Sequence, residues 1–255
     1  MDRISAVVIT KNEARNIERC LRSLAGVVDE VVVVDDLSTD DTAAIAERLG
    51  ARVIRQPWLG FGPQKNLGNA AASHRYVLSL DADEALDDTL RDAIRAARDG
   101  GLAGVYAVSR LNSYNGRFIR HGLEYPDRKV RLFPRDAATW DASPVHEGLV
   151  LPDGLPVARL PGHLLHYTYL RLEDTVVKAN RYSTLAAREL FERGRRVSLA
   201  KIAFAPLFTF FRAYVLRRGF LDGIHGLALA CLHANSTLLK YAKLRELQRE
   251  AAAPR

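Results

Sequence analysis

The sequence predicts an α/β fold, a largely parallel sheet with helices on both faces, followed by helices at the C-terminal end. Three observations carry this expectation. Apolar runs and amphipathic stretches alternate as βαβαβαβ from Ile4 to Asp81, and such alternation joins parallel strands through helical crossovers. The run Tyr76-Val77-Leu78-Ser79-Leu80 leads straight into Asp81-Ala82-Asp83-Glu84, and Glu30-Val31-Val32-Val33-Val34 leads into Asp35-Asp36. Open α/β sheets bind ligands at the carboxyl ends of their strands, where these acids fall.

Residues 4–10 read as a buried strand, followed by a helix from about Glu13 that Asn12 caps and that stops at Gly26. Residues 30–36 form the second strand. Ser38-Thr39-Asp40-Asp41 reads as a helix start, with Ser38 capping and Asp41 in the first turn, and that helix ends at Leu49-Gly50. Arg52-Val53-Ile54 is a short third strand. Past the Gly/Pro loop from Trp58 to Pro63, Gln64 to Ser73 is helical and leads into the strand that ends at Asp81. Asp87-Asp88-Thr89 opens a further helix. Short strands follow at 104–110, 129–133, 145–150 and 163–168, then helices at 171–193, 198–217 and 222–247.

A chain of 255 residues with 48% hydrophobic and 26% charged residues has the composition of an ordinary globule with a real core. There is no internal repeat and no flexible linker tract. Cys20 and Cys231 have no metal-type spacing, and no secretory signal precedes Ile4, which leads us to expect a reducing cytosol. Cys20 shares an apolar helix face with Ile17, Leu21 and Leu24 and reads as core filler. The net charge of +7 is uneven: residues 171–255 hold 16 Lys/Arg against 7 Asp/Glu, residues 1–170 hold 21 against 23. A basic tail of this kind suits a polyanionic neighbour.

On an extended backbone, side chains at i and i+2 point the same way, so Asp81 and Asp83 are expected to converge on a hard divalent cation or on ribose hydroxyls. One such pair alone is also what a solvated turn or helix cap looks like. Two strand ends of the same layout point to a ligand.

Four segments in order, Val8-Ile9-Thr10-Lys11-Asn12-Glu13, Val34-Asp35-Asp36-Leu37-Ser38-Thr39-Asp40, Lys65-Asn66 and Asp81-Ala82-Asp83-Glu84, resemble the nucleotide-diphospho-sugar transferases of glycosyltransferase family 2, whose fold is called GT-A. Trp58 to Asn66, Arg131-Leu132-Phe133 and Val145-His146-Glu147-Gly148 resemble the bacterial branch that glucosylates the lipopolysaccharide inner core through a β-1,4 linkage. The family pattern has Gly where Leu37 and Asp41 stand, so the loop after Asp36 is expected to follow a different backbone path.

The resemblance implies roles residue by residue. Thr10, Asn12 and Glu13, with Asp35 and Asp36, would hold the nucleoside. Lys65 and Asn66 would meet the diphosphate or the Asp81 strand. Asp83 would be the principal ligand to Mg²⁺ or Mn²⁺, Asp81 would contact ribose or metal, and His166, rather than nearby His163, would reach the metal or the diphosphate. Glu147 would be the general base of an inverting transfer. Glu84 is open between site member and cap, and Trp58 reads as loop packing. Residues 1–170 would form the catalytic domain, with 1–103 as the nucleotide half and 104–170 as the acceptor half, and 171–255 a helical extension.

In that extension Phe204, Phe208, Phe210, Phe211, Tyr214 and Phe220 interleave with Arg212, Arg217 and Arg218. Neither apolar stretch reaches the roughly 20 uninterrupted residues of a membrane span. An interfacial helix pair over 198–247 on an anionic membrane is expected, with a helical cover or a homodimer interface as the alternative. The resulting expectation is a hexosyltransferase, moving glucose from a UDP-sugar to a glycolipid acceptor, peripheral on the cytoplasmic face of the inner membrane. A polyprenyl-phosphate glycosyltransferase, using Arg128 and Arg131 for the lipid phosphate, is the nearest alternative. A non-enzymatic α/β binding module is another; nucleic acid is disfavoured because the Phe-rich helices lack isolated stacking residues. The first strand is not followed by G-x-G-x-x-G, which disfavours a dinucleotide fold.

Overall fold

The structure, a computed structural model, describes residues 2–141, 148–169 and 172–252. They form two compact units, Met1–Arg110 with Asp127–Tyr167, and Leu111–Pro126 with Thr168–Arg255. The expected boundary at residue 170 lies beside the cut at Tyr167. The excursion 111–126, expected in the catalytic half, belongs with the C-terminal helices.

The first unit opens with β1 (Ile4–Thr10), α1 (Ala14–Leu24), β2 (Glu30–Asp35), α2 (Thr42–Arg48), β3 (Arg52–Arg55), α3 (Phe61–Ala71) and β4 (Tyr76–Asp81). These strands are parallel in the order β3-β2-β1-β4. Every residue of β1 is buried, because both faces are covered. Ala6 and Val8 join Ile17, Leu21 and Leu24 on one face, while Val7 joins Val77, Phe133 and Trp140 on the other. Helix α3 lies so close to the sheet that a Cβ on Gly68 would come within 2.3 Å of a Val7 methyl.

Beyond β4 come β5 (Glu84–Leu86), α4 (Asp88–Asp99), β6 (Val105–Tyr114), β7 (Arg117–Phe118), β8 (Asp127–Pro134), β9 (Thr139–Trp140), β10 (Leu149–Val150) and β11 (Val157–Tyr169). Here pairing turns antiparallel, and the sheet continues β4-β8-β6-β11-β5 among the described residues. Strand β11 is much longer than the expected 163–168. Helix α4 starts as expected, with the Asp87 carboxylate accepting from Leu90 N at 2.8 Å.

Glu30 rivets three elements of the parallel half. Its carboxylate accepts from Ser5 Oγ on β1 at 2.6 Å, from Ser73 N at 2.8 Å and Ser73 Oγ at 2.9 Å just past α3, and from Arg52 on β3 at 3.1 Å. Burial pushes its pKa up, but these bonds outweigh burial and hold it at about 2. The folded value lies below the ordinary one of about 4.3, so the stabilisation is complete above that pH and is lost as pH falls through about 2. Glu30→Gln is therefore expected to cost about 1–3 kcal/mol at neutral pH. Urea titrations across the acid range will show this difference shrinking toward zero if the bonds act as described.

In the second unit, α5 (Leu172–Glu192), α6 (Leu199–Phe211) and α7 (Gly223–Ala252) pack together. Ser198 caps α6 by accepting from Lys201 N, and α6 runs on into a π turn at Arg212–Leu216. Lys243 of α7 donates to Asn180 O at 2.9 Å and Asn180 Oδ1 at 2.7 Å on α5. The stretch Leu199–Leu216 is 18 residues long and is, by length and composition, apolar enough to cross a membrane. Lys201 and Arg212 punctuate the run, which stays short of about 20 uninterrupted apolar residues.

Candidate active site

Register brings the acidic strand ends level. Thr10 pairs with Asp35 and Ile9 with Asp81 across the parallel strands. Beyond them a cleft of about 450 Å³ opens, lined by Thr10, Lys11, Glu13, Asp36, Asp81 and Asp83 and walled by Trp58 and Phe61. Thr10 Oγ1 is buried there and has no hydrogen-bond partner among the described residues, as a group awaiting a ligand would be. Trp58, expected as loop packing, is a cleft wall, set edge-on to Phe61 with centroids 4.8 Å apart.

The two loops at the β1 and β2 ends are laced to each other rather than capped from within. Asn12 Oδ1 accepts from Thr39 N at 2.8 Å, and Asn12 N donates to Ser38 Oγ at 2.8 Å. Asn12 therefore does not cap α1. Asp40 does so from the other loop, accepting from Ala14 N at 3.1 Å and, for α2, from Thr42 N at 3.0 Å. One carboxylate thus serves two positive helix ends. Nor does Ser38 cap α2: its N–H and hydroxyl both donate to Asp35. Asp35, 1% exposed, spends its carboxylate on this turn. Asp36 is left facing the cleft, 2.6 Å from Lys11 Nζ.

Leu37 takes a conformation unusual for its residue type. It holds φ +47°, the left-handed conformation in which glycine sits without strain. A leucine there costs about 1–2 kcal/mol. At this residue the chain holds the conformation a glycine would adopt.

Glu13 lines the same cleft, where burial raises its pKa, opposed by a hydrogen bond from Asn16 and aided by the Asp83 charge.

Asp81 and Asp83 do not share one environment. The strand ends at Asp81 and the chain turns at Ala82-Asp83 before β5, so the extended-backbone expectation of parallel carboxylates does not hold. Asp81 lies 3.1 Å from Lys65 Nζ and 3.3 Å from Arg131. Burial would raise its carboxyl, but Lys65, Arg131 and His166 outweigh burial and hold it well below the usual range. Asp83 lies 3.3 Å from His166 Nε2, which β11 delivers opposite Glu84 in the ladder. His163 turns instead to Asp87 at 3.1 Å.

Behind this turn sits a buried ion network. Glu84, wholly buried, accepts from Asp81 N at 3.0 Å and Arg131 at 2.6 Å, with Arg110 at 3.4 Å. It caps no helix. The charges of Glu84 and Asp81 raise the Arg131 pKa despite burial, which lowers it. Arg131, on β8 between Val130 and Leu132, thus fixes both the turn and Asp81. Its place between Val130 and Leu132, on the apolar end of a strand that opens with Asp127, Arg128 and Lys129, was the sequence signal for it.

Lys65 is 1% exposed and lies 4.6 Å over the Trp140 ring. Asn66 exchanges two hydrogen bonds with the Trp140 backbone, at 2.8 and 2.9 Å, and so positions rather than binds. On the same stripe of α3, a Cβ on Gly62 would collide with Asp141 O. Glu147 and His146 lie outside the described residues.

No group of three or more His, Cys, Asp or Glu is set to hold a metal among the described residues. Asp83 and His166 do offer one carboxylate and one imidazole nitrogen. A hard cation that completes its shell with water and phosphate oxygens fits such a sparse donor set.

Parallel strands that end level in carboxylates around one cleft, backed by buried Lys and Arg, make the ligand-binding edge of an open α/β enzyme. The chain belongs to glycosyltransferase family 2, whose model matches residues 5–148. It is a glycosyltransferase with the GT-A fold. A protein of Rickettsia felis named only as an uncharacterized glycosyltransferase is 34% identical over 256 residues, covering 96% of this chain and 90% of that protein. The lipopolysaccharide core biosynthesis glycosyltransferase LpsC of Rhizobium meliloti is 31% identical over 259 residues, covering 98% and 95%. A solved mannosyltransferase of Pyrobaculum calidifontis, in complex with GDP-Man and Mn²⁺, matches with a TM-score of 0.50 at 16% identity, over 99% of this chain and 76% of that one. That match is a likeness of fold.

Proposed function

We propose that this enzyme transfers a hexose, glucose by the family branch it resembles, from a UDP-sugar to a glycolipid of the lipopolysaccharide core on the cytoplasmic face of the inner membrane. The observation that carries the donor side is the division of labour between Asp81, neutralised by Lys65 and Arg131, and Asp83, turned to His166 at the cleft. The full-length similarity to LpsC supports the acceptor.

In this reading Thr10, Glu13 and Asp36 orient the nucleoside. Asp83 and His166 would hold Mg²⁺ or Mn²⁺, which would supply charge neutralisation for the departing diphosphate. Glu147 takes the proton from the acceptor hydroxyl as that oxygen attacks the anomeric carbon opposite the leaving group. The new C–O bond forms as the sugar–phosphate bond breaks, giving the inverted β-linkage. Of Arg128 and Arg131, which could serve a lipid-phosphate acceptor, Arg131 is committed to Glu84 and Asp81.

Calorimetric titration of UDP with and without Mn²⁺, with ADP and GDP as controls, tests the donor site. UDP-selective, metal-dependent heat supports the reading; no binding of any nucleotide overturns it. Glu147→Gln is expected to lower kcat by about 10²–10⁴-fold while leaving UDP binding intact. Full activity in that variant would instead favour an ionised phosphate acceptor, which needs no base.

A further inference from the structure

The second unit carries an outward surface that a water-facing helix would not present. Along α6 and the π turn, Phe204, Phe208, Phe211 and Val215 recur at three- and four-residue spacing and are 67%, 60%, 48% and 44% exposed. The inward stripe of the same helix is modest: Ile202 packs near Val197 and Leu244, Thr209 meets Thr237 at 3.3 Å, and Ala213 is buried. A surface helix normally turns its polar face to water. Here the larger apolar side chains face outward, and the apolar surface continues through Phe220 and Ile224.

Charge says what covers it. From Arg193 to Arg245 the sequence holds ten Lys/Arg and one carboxylate, Asp222. That carboxylate is turned inward, accepting from His121 N at 2.9 Å and Arg120 N at 3.2 Å. Exposed cations flank and interrupt the apolar surface: Arg195, Arg196 and Lys201 precede it, Arg212 sits between Phe211 and Val215, and Arg217 and Arg218 between Val215 and Phe220. At the first end Arg195, Arg196 and Arg245 border a groove of about 540 Å³.

We infer that this face lies in the plane of an anionic bilayer, with its aromatic and aliphatic side chains at the acyl boundary and its arginines among the headgroups. Aromatic groups and cations arranged this way gain from apolar burial and from the lipid charge together. A second copy fits poorly, because a two-fold interface sets a patch against itself and here would oppose cation to cation. The inference rests on the second unit alone and on no part of the transfer reading, so its failure and that of the UDP titration are separate results.

The test is co-sedimentation of the full chain with vesicles of phosphatidylcholine, alone or mixed with phosphatidylglycerol. Binding is expected to the mixed vesicles only, to weaken as salt rises, and to fall about fivefold for each cation removed in Arg217→Gln and Arg218→Gln. Phe208→Ser/Phe211→Ser should abolish it, with thermal melts showing that each variant is folded. Absence of wild-type binding to mixed vesicles overturns the inference, as does equal binding to both vesicle types without salt dependence. A vesicle-free dimer dispersed by Phe208→Ser/Phe211→Ser would make a second copy the occupant and overturn it as well. The wild-type lipid and salt comparisons decide the matter even if a variant misfolds.

Discussion

Arg131→Met is expected to lower the stability of the chain by about 3–5 kcal/mol, the largest loss at any position of the site. The reason lies in what it leaves behind. Glu84 is wholly buried and, of its two cations, would keep only the more distant Arg110, 3.4 Å away, in place of a 2.6 Å partner, beside the Asp81 N–H. Asp81 would keep Lys65 but lose its second cation. An uncompensated buried carboxylate costs far more than the ion pair contributes, since desolvation is no longer offset. The check is urea unfolding of Arg131→Met, Glu84→Gln and the double variant. A double variant more stable than Arg131→Met marks the isolated charge as the cause. A loss below about 1 kcal/mol in Arg131→Met would mean that solvent reaches the network after all.

Asp83→Ala should act in the opposite manner, removing activity while sparing the fold. Its side chain is 23% exposed at the cleft and faces His166, so little packing is lost. If it holds the cation that steadies the diphosphate, transfer should fall by about 10²–10³-fold or more. His166→Ala should cost less, about 10–100-fold. Initial rates of UDP release, set beside melting curves, separate the two effects. Near-normal turnover in Asp83→Ala would remove it from the catalytic machinery.

What the sequence made legible was the periodic part. Continuous apolar runs located β1, β2 and β4, and the acids that follow them fell at one sheet edge because parallel strands of similar length end together. Local signals with one partner in sequence were also readable, as at Asp87 and α4. Signals with partners in another loop were not. Asn12 and Ser38 look like caps by spacing, yet Thr39 and Asp35 compete for them, and Asp40 serves both helices. The order of the antiparallel strands depends on contacts far apart along the chain, so β8 and its Arg131 could not be set beside Asp81 in advance. Leu37 shows a further limit, since the loop imposes a backbone conformation against the preference of its residue.

Helix α3 has one more consequence. Lys65 and Asn66 are neighbours about 100° apart on its surface, and they grip different things, Asp81 and the Trp140 backbone. The helix cannot turn about its axis without breaking both holds, and Gly62 leaves it no room to slide past Asp141. Ahead of it, Gly60 at φ +104° sets off Trp58 and Leu59, exposed at the rim together with Phe61. Substitutions at these rim positions can therefore reshape the mouth of the cleft while Lys65 and Asn66 stay where they are.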